Sequence, residues 1–405
     1  KIVLDMDSLF SRQRRLLDNV SLDIVRDIMH DIDWNKRLIS IRGNRGVGKT
    51  TLMLQYIKQN YPSDTTEALY CTLDSLYFTS HTLVDLAEQF VMMGGKQLLF
   101  DEVHKYKNWS REIKEIYDVF PTLKVAISGS SLLQILNADA DLSRRCRPYE
   151  MSGLSFREYL RFYKGFDFQR HSLDEILSNA DTICSEVVAK IPPIAYFRDY
   201  LKHGYYPFFD GNTEDYEIAI ENIINLVVDQ EMPLICGIDP SYSRKIKAFL
   251  HILATTVPFN VDITKLGTML ELNRNTITSY LNHLHAAGLV ETLYSDINSV
   301  KRMQKPDKVY IHDTNMLATL AQVNVPNIGT IRETFAVSQL ITKHKVEYGV
   351  KAGDFVVDGK YTFEIGGKDK SFMQIADMQD SYIFADDIEH PVGKKLPLWL
   401  LGFIY

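Results

Sequence analysis

The sequence predicts an α/β chain of more than one domain, led by a parallel sheet built around a phosphate-binding loop. Three observations predict it. A strand-like run, Arg37-Leu-Ile-Ser-Ile-Arg42, leads straight into the glycine-rich stretch Gly43-Asn-Arg-Gly-Val-Gly48-Lys49-Thr50-Thr51, and a helical pattern follows at once. A second apolar run, Gln97-Leu-Leu-Phe-Asp101-Glu102, ends in adjacent carboxylates. The chain has 405 residues, more than the roughly 100–200 that one domain usually holds.

The first element is the loop. In the pattern strand, GxxxxGK[ST], helix, each residue type has a task. The glycines let the chain curl so that successive backbone N–H groups point at phosphate oxygens, and the following helix offers its positive N-terminus. Lys49 is expected to reach the β and γ phosphates, and the Thr50 hydroxyl to coordinate magnesium. Gly43, Asn44, Arg45, Gly46, Val47, Gly48, Lys49, Thr50 and Thr51 are therefore the expected ATP-binding loop, with Mg2+ as companion ion.

The second element is the acidic strand end. Alternation along a strand sends Asp101 and Glu102 to different sides, so Asp101 is expected to join the loop and hold the magnesium shell while Glu102 polarises the attacking water. Two further strands, Ala68-Leu-Tyr-Cys-Thr-Leu73 and Leu123-Lys-Val-Ala-Ile-Ser128, alternate with helical segments, which predicts a parallel sheet covered on both faces. The Ser128 hydroxyl, at a strand tip, suits a contact to the γ phosphate or to the water; the Ser128-Gly-Ser-Ser131 stretch is also an ordinary turn and helix cap. Arg144 and Arg145 are candidates for an arginine finger, within a subunit or across an interface, against the commoner fate of surface ion pairs.

In this order the motifs resemble those of the AAA-type ATPases of archaea and bacteria that carry a C-terminal domain of unknown function. Gly43 to Thr51 look like Walker A, Leu98 to Glu102 like Walker B with the catalytic glutamate, and Ser128 to Ser131 like the sensor strand. Asp141-Leu-Ser-Arg-Arg145 and Leu154-Ser-Phe-Arg-Glu-Tyr159 look like the family's arginine motif and the segment after it. The resemblance implies a P-loop ATPase core with sheet order 5-1-4-3-2.

Downstream, residues 155–259 read as a helical lid and connector, with an aromatic group (Tyr196, Phe197, Tyr200, Tyr205, Tyr206, Phe208, Phe209) better suited to core packing than to a ligand box. Within it, Gly204-Tyr-Tyr-Pro207 is similar to a Gly-aromatic-Pro motif of the same family. Residues 260–298 carry helix, turn, helix and a strand-like wing, the pattern of a winged helix. Its second helix offers Arg274, Asn275, Thr278, Ser279 and Asn282 with only one cation, so a protein partner or domain packing is favoured over DNA. Nearby Lys301, Arg302, Lys305 and Lys308 add to the DNA option.

Residues 299–405 begin at Lys308-Val-Tyr-Ile-His-Asp313 and place Asp354 and Glu364 on two strands, with Glu333 on a helix and Lys368 close behind Glu364. This follows the template of a metal-dependent phosphodiesterase and resembles PD-(D/E)xK nuclease-like folds. The motif's lysine position, two after Glu364, is Gly366, so an inactive nuclease-like domain is expected. The P-loop domain is bounded at 1–154.

Composition limits the alternatives. With 45% hydrophobic and 24% charged residues the chain is neither disordered nor supercharged. Lys plus Arg total 45 against 52 Asp plus Glu, and the net charge of −7 argues against a general electrostatic grip on nucleic acid. Cys71, Cys146, Cys184 and Cys236 lack zinc-knuckle or CxxC spacing, as expected of free thiols in a reducing cytoplasm. Lys1-Ile-Val-Leu-Asp-Met-Asp lacks the regions of a signal peptide, and Leu396–Tyr405, expected as a buried strand, is short of the roughly 20 residues of a membrane span. The expected function is ATP binding and hydrolysis coupled to the arrangement of the C-terminal domains; the alternatives are a slow nucleotide-dependent binding switch and an ATP-regulated nuclease.

Overall fold

The computed structural model describes residues 6–129, 142, 144–256, 259–260, 263–295, 305–321, 326–349 and 352–405. It contains two compact units, Lys1–Gly153 and Leu154–Tyr405.

In the first unit, β1 (Leu38–Arg42), β2 (Ala68–Thr72), β3 (Gln97–Asp101), β4 (Lys124–Gly129) and β5 (Arg147–Glu150) form one sheet in the order β2-β3-β4-β1-β5. Every pairing is parallel, and the order is the expected one read from its other edge. β1 and β3 are buried along their whole length, as strands inside a helix-covered parallel sheet must be. Helices α1 (Met6–Asn19) and α2 (Ile28–Asp31) precede β1, and α3 (Lys49–Asn60), α4 (Leu83–Met92) and α5 (Trp109–Val119) alternate with β1 to β4. α4 starts at Thr82, whose hydroxyl accepts from the Asp85 N–H. α5 buries Trp109, Ile113 and Ile116, one stripe at helical spacing, in a core shared with Leu69, Phe100 and Ile127. The register sets Thr72 beside Asp101 and Ile41 beside Ser128, so the loop, the acids and the serine meet at the C-terminal edge.

In the second unit, β9 (Val346–Tyr348), β10 (Phe355–Val357), β11 (Tyr361–Gly366), β12 (Ser381–Ala385) and β13 (Lys395–Pro397) form a mixed sheet in the order β13-β12-β11-β10-β9. The expected terminal strand stops at Pro397, and a buried 3₁₀ helix, Leu398–Phe403, follows. Helices Leu173–Val188, Pro193–His203 and Ile328–Leu340 share one core with this sheet, built from residues such as Ile176, Phe197, Phe335, Phe363 and Trp399. The first part of the segment expected as a lid and connector, from Phe156 to Leu201, thus contributes to the C-terminal core. Local periodicity reports that a helix is amphipathic, not which distant sheet it covers.

The aromatic group is packing: Phe197 and Phe335 meet edge to face at 4.7 Å, and Tyr200, Tyr205 and Tyr206 are buried. Gly204-Tyr-Tyr-Pro207 has a clear partner. The Tyr206 hydroxyl donates to the Asp313 carboxylate (3.0 Å), and the Tyr205 N–H donates to the Asn315 side-chain oxygen (2.8 Å). Asp313 in turn accepts from the N–H groups of Asn315 and Met316, capping helix Thr314–Ala321.

Helices Ile263–Leu270 and Arg274–Ala286 form the expected helical pair, the second capped by Asn273. They accompany an antiparallel sheet in the order β6 (Phe259–Asn260), β8 (Lys308–Ile311), β7 (Val290–Leu293). β8 pairs with β7, Val290 opposite Ile311. Lys308–Ile311, read from sequence as opening the last domain, therefore belongs to this small sheet, and a boundary at 298/299 cuts through it. Among the described residues no helix is long and apolar enough to cross a membrane.

Candidate nucleotide site

The loop is held from both sides. Gly43 and Gly48 lie at φ 152° and 100°, and a Cβ on Gly43 would run into the Met151 carbonyl, so that position needs a glycine. Beneath the loop, the buried Arg26 guanidinium donates to the carbonyls of Val47 (3.1 Å), Ser152 (3.0 Å) and Gly153 (2.9 Å). Arg26 lies outside any motif, and the sequence reading missed it.

Lys49 opens α3 and is 5% exposed; its ammonium donates to the carbonyls of Gly43 (2.7 Å) and Asn44 (2.8 Å), which fixes the charge inside the loop's curl. At the next residue, the Thr50 hydroxyl donates to the Asp101 carboxylate at 2.6 Å. Asp101 is 2% exposed and gathers further donors: the Tyr70 hydroxyl (2.7 Å), the Ser128 hydroxyl and the Glu102 N–H (3.1 Å). Burial, and then the Asp101 charge, push the Tyr70 phenol far above its ordinary pKa, so it stays a donor. A hydroxyl beside a carboxylate is the hard-oxygen set that magnesium takes, and Thr50 and Asp101 fit the ion on that ground.

Tyr70 was also missed as a site residue. It sits two before Thr72 on β2, hence on the same face, and Thr72 is the register partner of Asp101. Strand order was the signal needed, because only a neighbouring strand lets a phenol reach that carboxylate.

Glu102 has left-handed backbone angles, φ 55° and ψ 43°, which costs a non-glycine residue on the order of 1 kcal/mol. Its Oε2 lies 3.6 Å from the Arg45 guanidinium and 3.3 Å from His104 Nε2. Burial, followed by the charges of Lys105, Arg45 and Lys49, pulls His104 down to about 4, so the ring beside Glu102 is neutral at pH 7.

The two candidate finger arginines are not brought to this loop. Arg145 is bound in bidentate fashion by Asp118 of α5, at 3.0 and 3.1 Å, and Arg144 is exposed. Among the described residues neither bonds to the loop, Asp101 or Glu102 within the chain. Ser130, Ser131, Asp141 and Ser143 lie outside the described residues.

The acids of the second unit present a different picture. Burial, then the Asp354 charge, raises the Glu333 carboxyl; burial also raises Glu364, with Asp354 adding to it. The three acids are therefore neighbours. Each is already engaged: Glu333 by the Tyr310 hydroxyl (2.6 Å) and Lys308 (3.4 Å), Asp354 by the Ile365 N–H (2.8 Å), Glu364 by Lys370. Lys370, not Lys368, is the lysine at Glu364. A turn closed by the Lys370 N–H on the Gly367 carbonyl (3.0 Å) folds it back, and Gly366 leaves room for its stem. No group of three acid, histidine or cysteine side chains among the described residues is set to hold a metal. Of the basic run, Lys305 is exposed, Lys308 is buried against Glu333, and Lys301 and Arg302 lie outside the described residues.

Residues 35–160 match the family described as an AAA domain, and residues 194–327 match a domain of unknown function, DUF8612. Two proteins of Methanocaldococcus jannaschii are similar: uncharacterized protein MJ1637 is 25% identical over 318 residues, 74% of this chain and 66% of that one. Uncharacterized protein MJ1544 is 24% identical over 385 residues, 89% of this chain and 80% of that one. The chain thus spans just under two thirds of the first relative. Among solved structures, the Walker-type ATPase PABY2304 of Pyrococcus abyssi aligns with a TM-score of 0.42 at 12% identity, over 77% of this chain and 95% of that one. The similarity to the AAA domain family covers the parallel sheet and its loop, the arrangement of a P-loop nucleotide-binding domain.

Proposed function

We propose that the protein binds ATP with Mg2+ and hydrolyses it, and that the nucleotide state alters the arrangement of the Leu154–Tyr405 unit. The observation that carries this is Asp101 bonded to Thr50 at 2.6 Å with Glu102 next to it at the strand end. Lys49 neutralises phosphate charge, the loop N–H groups orient the chain of phosphates, and Glu102 orients the water and takes its proton. Ser128 stays with Asp101, where its hydroxyl keeps the carboxylate turned toward Thr50. Thr50 and Asp101 would hold magnesium, which would supply positive charge against the phosphate oxygens.

The test is phosphate release from ATP by the purified chain. Release should require magnesium, stop on addition of excess EDTA and return when magnesium is restored. Release that ignores EDTA, or none under any condition with no ATP bound, would remove the assignment.

For the second unit we propose a winged helix and a nuclease-like sheet that bind partners without cutting nucleic acid. The engagement of Asp354, Glu364 and Glu333 within the protein supports this, as does the withdrawal of Lys308 from the basic run. With magnesium or manganese, single- and double-stranded DNA should remain intact on incubation with the protein. Metal-dependent cleavage that disappears in Asp354→Ala would overturn this reading.

A further inference from the structure

Phosphoryl transfer builds negative charge on the equatorial oxygens of the γ-phosphoryl group, and a well-placed arginine there has a large effect on rate. The sequence offered Arg144 and Arg145 for that task; within the chain Arg145 is bound by Asp118, Arg144 is exposed, and among the described residues neither bonds to the loop. A third arginine stands in the loop itself. The Arg45 guanidinium is 3.6 Å from the Glu102 carboxylate, and Glu102 marks the place of the attacking water, beyond the γ-phosphorus on the side away from the leaving group. A cation within ion-pair reach of Glu102 therefore lies at the γ end of the loop. Lys49, bonded to the Gly43 and Asn44 carbonyls, marks the inside of the curl.

We propose that Arg45 is the catalytic arginine of this site and that it acts within its own chain. The inference rests on the ATPase reading above. A guanidinium is a planar fork with several donors, so it can face the Glu102 carboxylate and a γ-phosphoryl oxygen together, as a lysine's point charge cannot. Charge developing on the phosphoryl oxygens draws Arg45 toward them, and Glu102 keeps its second partner, His104 at 3.3 Å. No group is covalently modified: Glu102 takes a proton from water, the water oxygen bonds to phosphorus, and the bond to the ADP oxygen breaks.

The test compares wild type with Arg45→Ala and Arg45→Lys for ADP binding, for affinity toward MgADP with aluminium fluoride, and for single-turnover phosphate release. Arg45→Ala should bind ADP within about threefold of wild type while turnover falls about 10²–10³-fold, with a matching loss of affinity for the transition-state mimic. Arg45→Lys should be intermediate. Mixing Arg45→Ala with Glu102→Gln protein should restore nothing, since neither chain holds a complete site. Unchanged turnover in Arg45→Ala sinks the proposal. So does an equal loss of ADP and mimic binding, which would mean that Arg45 only shapes the loop, and so does recovery on mixing, which would place the arginine in trans. A wild-type protein that binds ATP but never hydrolyses it would instead remove the ATPase reading, and this inference with it.

Discussion

Lys49→Ala is expected to lower ATP affinity by about 30- to 1,000-fold, the loss of roughly 2–4 kcal/mol that follows when one member of a desolvated charge pair is removed. The lysine is 5% exposed and its ammonium is already oriented by the Gly43 and Asn44 carbonyls, so little ordering is needed for it to meet phosphate. Its removal deletes the charge and leaves the backbone N–H cradle standing. Adenosine, which lacks phosphate, should bind the variant and wild type alike if it binds at all. The fold should survive, because the β1, β3 and β4 core does not contain the side chain, and Arg26 still supports the loop from beneath. Equilibrium titration with a fluorescent ATP analogue, alongside a thermal melt, measures both effects. Wild-type affinity in a folded Lys49→Ala protein would refute the loop's assignment.

How much of this site could be read in advance depended on how far along the chain each partner lies. The loop is contiguous, and its glycines, lysine and threonine carry their tasks in the local sequence, so Gly43 to Thr51 were legible outright. Asp101 and Glu102 were legible as a strand end whose meaning came from the loop upstream. Tyr70 and Arg26 were not, because a tyrosine inside an apolar strand and an arginine before a short helix look like ordinary residues. Their roles arise only when β2 lies beside β3 and when the chain returns at Ser152 and Gly153.

The same limit explains the C-terminal corrections. The motif spacing fell on Gly366 and left Lys368 as the nearby lysine, but a turn between Gly367 and Lys370 decides which lysine reaches Glu364, and turn closure is not a periodic signal. β8 was grouped with the last domain because its partner strand, β7, lies across a connection whose length gives no register. Helical character across 155–203 was legible from periodicity, whereas its burial against the C-terminal sheet was not. The Gly204-Tyr-Tyr-Pro207 motif acquires a reason only from Asp313 and Asn315, far along the chain.

Glu102→Gln should preserve ATP binding and cut turnover by about 10²–10⁴-fold, the usual worth of a positioned general base. The amide has the carboxylate's shape, and the residue's left-handed backbone does not depend on the charge. What changes is chemical: an amide neither takes a proton from water nor attracts the Arg45 guanidinium, which now stands 3.6 Å from a carboxylate oxygen. Losing that attraction leaves Arg45 with less competition for phosphate, so ATP affinity in the variant should equal or exceed that of wild type. A simple packing defect would weaken binding instead. His104, neutral at pH 7 and 3.3 Å from Glu102 Oε2, has no charge to lose against the amide, so it should tolerate the change. Single-turnover phosphate release measured beside equilibrium ATP binding separates the cases: slow release with intact or tighter binding is the expected result. Equal release in the two proteins would move the base away from Glu102, and weakened binding with normal release would make Glu102 a residue that shapes the loop.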